Sequence, residues 1–76
     1  MARTLDVRGL MCPLPLIRAR RALAEMADGE TLVVLATDPE APLDLAALAA
    51  DEGHAYAREN LEGAWRVSLT KGGATV

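Results

Sequence analysis

The segment Thr31–Ala36 constrains the fold more than any other part of this 76-residue chain. It consists of Thr-Leu-Val-Val-Leu-Ala, so it is continuously apolar after its first residue and partly β-branched. A strand of this composition is typical of the interior of a sheet that is covered on at least one face. The rest of the short chain must therefore supply neighbouring strands and a covering layer.

The first covering element is predicted between Pro13 and about Met26. Apolar residues recur there at spacings of three and four, which is the period of a helix with one buried face. Proline is favoured in the first turn of a helix, and Asp28-Gly29 is a typical stop. The predicted inward stripe consists of Leu16, Ala19, Leu23 and Met26.

The second covering helix is predicted from Pro42 to about Asp51. It follows the turn Asp38-Pro39-Glu40-Ala41-Pro42, and Gly53 is a natural C-terminal stop. Its predicted inward stripe consists of Leu45, Leu48 and Ala49.

Three further strands complete the prediction. Thr4–Val7 is a short first strand, and Ala55–Leu61 and Ala64–Thr70 form a hairpin around Glu62-Gly63. The order β-α-β-α-β-β predicts an α/β (α+β) two-layer sandwich, with two helices on one face of a four-stranded mixed sheet. We expect residues 1–76 to form a single domain in which residues 72–76 are a loose tail.

The composition excludes several classes of protein. A single cysteine cannot form an internal disulfide or a C-x-x-C dithiol, and one cysteine with one histidine cannot build a tetrahedral metal site. No apolar run is long enough to cross a bilayer and the N-terminus lacks the layout of a signal peptide, so we expect a cytoplasmic location without membrane contact. A pI near 4.9 and only two aromatic residues argue against direct nucleic-acid binding. No cofactor and no metal are expected.

Cys12 is the residue with the most distinctive setting. Gly9 precedes it, and Pro13 and Pro15 follow it, which predicts that Cys12 is the N-cap of the first helix. The helix dipole and the N–H group of Leu14, the nearest donor that the prolines leave, would then favour the thiolate and lower the pKa of the cysteine. A lone cysteine is more often a small buried hydrophobe, but this one precedes the apolar stripe. The sequence therefore predicts an exposed, ionised, functional thiol.

The charge is divided unevenly along the chain. Residues 1–24 contain five arginines and one acidic residue, a balance of +4, whereas residues 25–76 contain three basic and ten acidic residues, a balance of −7. The basic segment is the one that holds the cysteine. We predict that Arg8, Arg18 and Arg21 dock an acidic partner near the thiol.

A series of short motifs resembles the TusA (SirA-like) sulfurtransferase family. The most specific is Gly9-Leu10-x-Cys12-Pro13-x-Pro15, and the resemblance extends from about Thr4 to Gly73. The other matching elements are Leu5-Asp6, Arg20-Arg21, Gly29-Glu30, Thr37-Asp38-Pro39, Asp44, Gly53-His54 and Lys71-Gly72-Gly73. The resemblance implies the same β-α-β-α-β-β sandwich, similar to the C-terminal domain of translation initiation factor three.

The resemblance also implies a function. Cys12 would accept sulfane sulfur as a persulfide from a cysteine desulfurase or a rhodanese-like donor, and would pass it to a downstream acceptor protein. Members of the family supply 2-thiouridine formation in tRNA, molybdenum-cofactor enzymes or sulfur oxidation. Leu14 stands where the best-known member of the tRNA pathway has an acidic residue, and Leu48 or Ala49 stands where that member has a second cysteine.

Other functions remain open from the residues alone. One is a regulatory protein-interaction domain in which the cysteine is incidental or senses redox state, and a peroxide sensor would usually need a resolving thiol. A C-terminal Gly-Gly thiocarboxylate is disfavoured because Ala74-Thr75-Val76 follow Gly73. His54 is interpreted as a structural cap or surface residue in preference to a catalytic base.

Overall fold

A computed structural model describes residues 2–73 of the chain. Its elements are β1 (Ala2–Asp6), α1 (Leu14–Ala24), β2 (Thr31–Ala36), α2 (Ala41–Glu52), β3 (Ala55–Leu61) and β4 (Ala64–Thr70). The predicted order β-α-β-α-β-β is confirmed. The bounds of β2 and of both hairpin strands are those predicted from the sequence.

The four strands form one mixed sheet in the order β1-β2-β4-β3. β1 is parallel to β2, with Ala2 beside Thr31 and Asp6 beside Leu35. β4 is antiparallel to both β2 and β3. β2 is therefore an interior strand, as its continuous apolar sequence predicts.

The core lies between the sheet and the two helices, which contact each other and cover one face. Both predicted helix stripes point into it, although Leu16 at the start of α1 is only half-buried. Along β2 and β4, buried residues alternate with half-exposed ones, so the second face of the sheet is open. The largest fully buried side chains are Leu23, Leu32, Leu45, Leu69, Val7, Val34 and Val67, with Pro15 and Pro42.

The bounds of β1 and of both helices differ from prediction, and α2 is one residue longer than predicted at each end. β1 begins at Ala2 and ends at Asp6, although Val7 remains buried and its N–H donates to the Leu35 carbonyl at 2.8 Å. α1 ends at Ala24, because Glu25 and Met26 donate their N–H groups to Ala22 and Leu23 in a tighter last turn.

The parallel pairing of β1 with β2 positions the site. Parallel neighbours end at the same edge of a sheet, so the β1–α1 loop (residues 7–13) and the β2–α2 loop (residues 37–40) lie side by side. Residues distant in the sequence thereby become neighbours at the start of both helices.

The end of the described chain is attached to the domain. The N–H of Gly72 donates to His54 Nδ1 at 3.0 Å, and the N–H of Gly73 donates to the Thr70 carbonyl at 3.1 Å. The remainder of the predicted tail, residues 74–76, lies outside the described residues. Within residues 2–73, neither helix has the length and apolar character needed to traverse a bilayer.

Candidate functional site

Cys12 lies in the β1–α1 loop, one residue before the N-cap of α1, and its side chain is exposed. It is the chain's only cysteine. The predicted exposure of the sulfur is confirmed. A thiol in this position is accessible to another protein, whereas the thiol of a fully buried cysteine is not.

The β2–α2 loop holds the loop of the cysteine through two side chains. The N–H of Gly9 donates to Thr37 Oγ1 at 2.9 Å, and the N–H of Cys12 donates to Asp38 Oδ2 at 2.6 Å. The other carboxylate oxygen, Asp38 Oδ1, accepts the N–H of Glu40 at 3.1 Å. Asp38 thus joins the backbone that carries the sulfur to the N-cap residue of α2.

Gly9 is required by the path of this loop. Its φ is +83°, in a region that residues with a side chain rarely adopt, and a Cβ built there would meet no atom within 4 Å. Pro13 is exposed, whereas Pro15 is fully buried in the first turn of α1. Pro15 therefore anchors the helix start to the core beneath the exposed cysteine.

The predicted relation between Cys12 and the helix dipole is wrong in detail. Pro13 is the N-cap, with no side-chain capping bond, and α1 begins at Leu14. The N–H of Leu14 donates to the Met11 carbonyl at 2.9 Å, so the donor that we expected to stabilise the thiolate is already used. The first turn closes on the loop backbone and not on the sulfur.

The charges around the sulfur are also the opposite of those predicted. Cys12 Sγ donates a hydrogen bond to Asp44 Oδ2, in the first turn of α2, at 3.5 Å. This bond, then removal of water from the sulfur, then the negative charges of Asp44, Glu40 and Asp38 raise the pKa of the Cys12 thiol. In the free protein the thiol form is therefore favoured, and the predicted ionised sulfur is wrong.

Arg8, the first of the three arginines predicted to dock a partner near the thiol, is paired with Asp6. The Arg8 guanidinium donates from Nε at 2.9 Å and from one terminal nitrogen at 2.8 Å to the two carboxylate oxygens of Asp6. This bond lowers the pKa of the Asp6 carboxyl to about 2 and raises the pKa of Arg8. Arg18 and Arg21 are exposed on α1, where they line a groove between this helix and β1.

Exposed apolar side chains are adjacent in the sequence to Cys12 and Asp44 or lie on the first turn of α1. Met11 is 75% exposed and Leu43, next to Asp44 in the sequence, is 70% exposed. Leu14 and Ile17, at 43% and 51%, extend this surface along the first turn of α1 into the groove that Arg18 and Arg21 line. An apolar surface grouped around one thiol is typical of a surface that binds another protein.

His54 is a structural residue. It is 7% exposed, its Nδ1 accepts the N–H of Gly72 at 3.0 Å, and its Nε2 lies 3.4 Å from Glu52 Oε1. It follows Gly53, the left-handed C-cap of α2, and so joins the end of this helix to the end of β4. The histidine is a cap, as interpreted from the sequence, but a buried one.

Asp38 and Asp44 belong to the motifs that resemble the TusA family, but the sequence did not predict a role for either residue. Both lie more than 25 residues from Cys12 along the chain, with separations of 26 and 32. The available signal was the strand β2 itself: residues that follow parallel neighbouring strands meet at one sheet edge. Among residues 2–73, the titratable side chains form no group suited to a metal ion.

The fold and the site together define a small α+β sandwich that presents a single thiol at the edge where its two parallel strands end. The family model for sulfurtransferase TusA matches residues 3–71, which is most of the chain and includes the whole site. This chain belongs to the TusA family.

Relatives agree in sequence and in structure. A protein of Neisseria meningitidis serogroup B, described as a candidate sulfur carrier, is 55% identical over 53 residues, which cover 70% of this chain and 72% of that protein. The sulfur carrier protein TusA of Allochromatium vinosum is 42% identical over 59 residues, covering 78% of each chain. The crystal structure of the SirA-like protein from Desulfitobacterium hafniense superposes with a TM-score of 0.83 at 31% identity, over 95% of this chain and 99% of that one. The predicted family and fold are thereby confirmed.

Proposed function

We propose that this protein is a sulfur carrier that holds sulfane sulfur as a persulfide on Cys12. The observation that carries the proposal is the single exposed thiol, held at the sheet edge within the region that matches the sulfurtransferase family. Relatives named as sulfur carriers support the same role. The protein acts as a relay between partners and not as a stand-alone catalyst.

The relay consists of two exchanges. The Cys12 thiolate attacks the outer sulfur of the donor's persulfide, a bond forms between Sγ and that sulfur, and the donor's own cysteine leaves as a thiolate. The thiolate of the acceptor protein then attacks the outer sulfur on Cys12, which returns to a thiolate. Each exchange moves one sulfur atom without net oxidation, so the single cysteine needs no resolving thiol.

The partners follow from this chemistry. The donor is a cysteine desulfurase or a rhodanese-like protein, and the acceptor is a cytoplasmic protein of tRNA 2-thiouridine formation, molybdenum-cofactor metabolism or sulfur oxidation. The apolar side chains around Cys12 supply the contact surface for both. Leu14, two residues from the sulfur, is exposed on this surface, so it helps to choose between partners.

The test is a measurement of intact mass. The protein is incubated with a cysteine desulfurase and cysteine, and weighed before and after reduction. We expect an adduct of one sulfur atom that disappears with reductant and is absent in Cys12→Ser. If no adduct forms with the desulfurase or with a rhodanese-like donor, the result would instead favour a regulatory interaction domain with an incidental cysteine.

A further inference from the structure

The charged groups that act on the Cys12 sulfur from the β2–α2 loop and from α2 are all acidic. Asp38 and Glu40 lie in the β2–α2 loop and Asp44 lies in the first turn of α2. The first turn of α1 contains no acidic residue, and Arg8 of the β1–α1 loop is bound to Asp6. Within residues 2–73, the free protein therefore holds the sulfur against negative charge without a compensating cation.

This arrangement opposes the reaction that the carrier must perform. The thiolate is the nucleophile in sulfur exchange, and its negative charge is disfavoured beside three carboxylates. The thiol proton, in contrast, has a specific acceptor in Asp44 Oδ2 at 3.5 Å. A carrier with this site is protected from stray electrophiles until something changes the charge around the sulfur.

We propose that Asp44 holds Cys12 as a neutral thiol in the free carrier, and that a lysine or arginine of the sulfur donor pairs with Asp44 before sulfur is transferred. The inference rests on the proposed function and names a feature of the donor. Pairing occupies the oxygen that accepts the thiol proton and brings a positive charge beside the sulfur. Both changes favour the thiolate.

The surroundings of Asp44 are suited to such a contact. Met11 is adjacent to Cys12 in the sequence and Leu43 is adjacent to Asp44, and both side chains are exposed, so a donor that docks on this part of the surface can cover them. Covering this surface excludes water, and a new ion pair is stronger where water is excluded. A cation on the donor therefore gains more at this position than at an open surface.

The transfer step balances without a further reagent. Cys12 gives up the proton on Sγ, the bond from Sγ to the donor's outer sulfur forms, and the donor's sulfur–sulfur bond breaks. The electron pair of the broken bond remains on the donor's cysteine, which takes up the proton and becomes a thiol. Asp44 neither gains nor loses a proton over the complete step.

The first test measures the thiol without any sulfur donor. Alkylation of Cys12 by iodoacetamide is followed against pH in the wild type, in Asp44→Asn, and in Asp51→Asn, which removes the same charge from an exposed position near the other end of α2. We expect the midpoint of the profile to move to lower pH and the rate at pH 7 to rise several-fold in Asp44→Asn, with no change in Asp51→Asn. Asp44→Ser must give the same shift, and an unchanged midpoint in both Asp44 variants overturns the proposal.

The second test measures whether the surroundings of Cys12 favour a positively charged reactant. A cationic and an anionic methanethiosulfonate reagent are compared at low ionic strength, with a simple thiol as the reference. We expect the wild type to prefer the cationic reagent more than the simple thiol does, and the preference to shrink in Asp44→Asn but not in Asp51→Asn. The same preference in Asp44→Asn as in the wild type contradicts the inference.

The third test separates this inference from the proposed function. Persulfide formation is measured with a cysteine desulfurase and with inorganic polysulfide, which carries no cation to pair with Asp44. The rate with the desulfurase divided by the rate with polysulfide should fall several-fold in Asp44→Asn. An unchanged ratio overturns the inference that the donor supplies a cation to Asp44. If the wild type accepts no sulfur from either source, the carrier function fails, whereas the alkylation profile still decides the role of Asp44.

Discussion

Cysteine and histidine side chains often take part in catalysis, and this chain has one of each, Cys12 and His54. Helix α2 separates the surroundings of the two residues. Asp44, which accepts a hydrogen bond from the Cys12 thiol, lies in the first turn of α2, whereas His54 follows the C-cap of this helix. A helix of 12 residues is about 18 Å long, which is far beyond the reach of a proton transfer. The histidine therefore acts on the fold and not on the sulfur.

Replacement of His54 tests this division at the scale of one side chain. His54→Ala leaves the N–H of Gly72 without its acceptor and opens a cavity, so we expect the free energy of unfolding to fall by about 2–4 kcal/mol. Urea unfolding measures the loss, and His54→Asn, which keeps a polar acceptor, should lose less. The rate of persulfide formation per folded molecule should equal that of the wild type. A lower rate, together with a changed dependence of this rate on pH, would give His54 a catalytic role.

At the scale of elements, the sequence predicts best where one local pattern decides the outcome. β2 is a continuous apolar run and the hairpin strands alternate around Glu62-Gly63, so their bounds are those of the structure. The stripes of both helices follow from their spacing for the same reason. The fold class needs nothing beyond these patterns and the rule that each apolar face must be covered.

The charge around the cysteine required more than local pattern. Cys12 is followed in the sequence by prolines that indicate the start of a helix, and this led to the prediction of an ionised sulfur. The groups that act on it are Asp38 and Asp44, which only the parallel pairing of β1 with β2 brings near. The exposure of Cys12 could be predicted from its neighbours in the sequence, whereas its state of protonation depends on its neighbours in space.

The C-terminal end of α1 offers a prediction about an element. Lys71, at the end of β4, donates from Nζ to the Leu23 carbonyl at 2.7 Å and to the Met26 carbonyl at 2.6 Å. A cation at this end of a helix satisfies free carbonyls and opposes the negative end of the dipole.

We expect Lys71→Met to lower the free energy of unfolding by about 1–3 kcal/mol, because the stem stays packed while the Leu23 and Met26 carbonyls both lose the bond from the ammonium group. Arg20→Met is the matched control, since its exposed pair with Glu52 at 3.7 Å is worth at most about 1 kcal/mol. Chemical unfolding of the two variants side by side provides the comparison. Equal losses in both would mean that the lysine does not cap the helix.

At the scale of the whole molecule, the basic and acidic segments of the chain contribute two different surfaces of the fold. The basic segment supplies Arg18 and Arg21 on α1, and the acidic segment supplies the carboxylates at the start of α2. If the donor docks on both surfaces, we expect it to present an acidic surface to α1 and a single cation to Asp44. This pattern discriminates between partners more sharply than one sign of charge does.

Charge reversal on α1 tests the acidic part of that surface. In Arg18→Glu/Arg21→Glu we expect persulfide formation from an acidic donor protein to slow by about tenfold at low ionic strength, because steering of the encounter is lost. Added salt should reduce the difference from the wild type, whereas the rate with inorganic polysulfide should not decrease by a comparable factor. Arg58→Glu/Arg66→Glu makes the same change in net charge on the exposed hairpin and should leave the donor rate nearly unchanged. Equal slowing in both double variants would mean that net charge, and not the position of the arginines beside the site, governs docking.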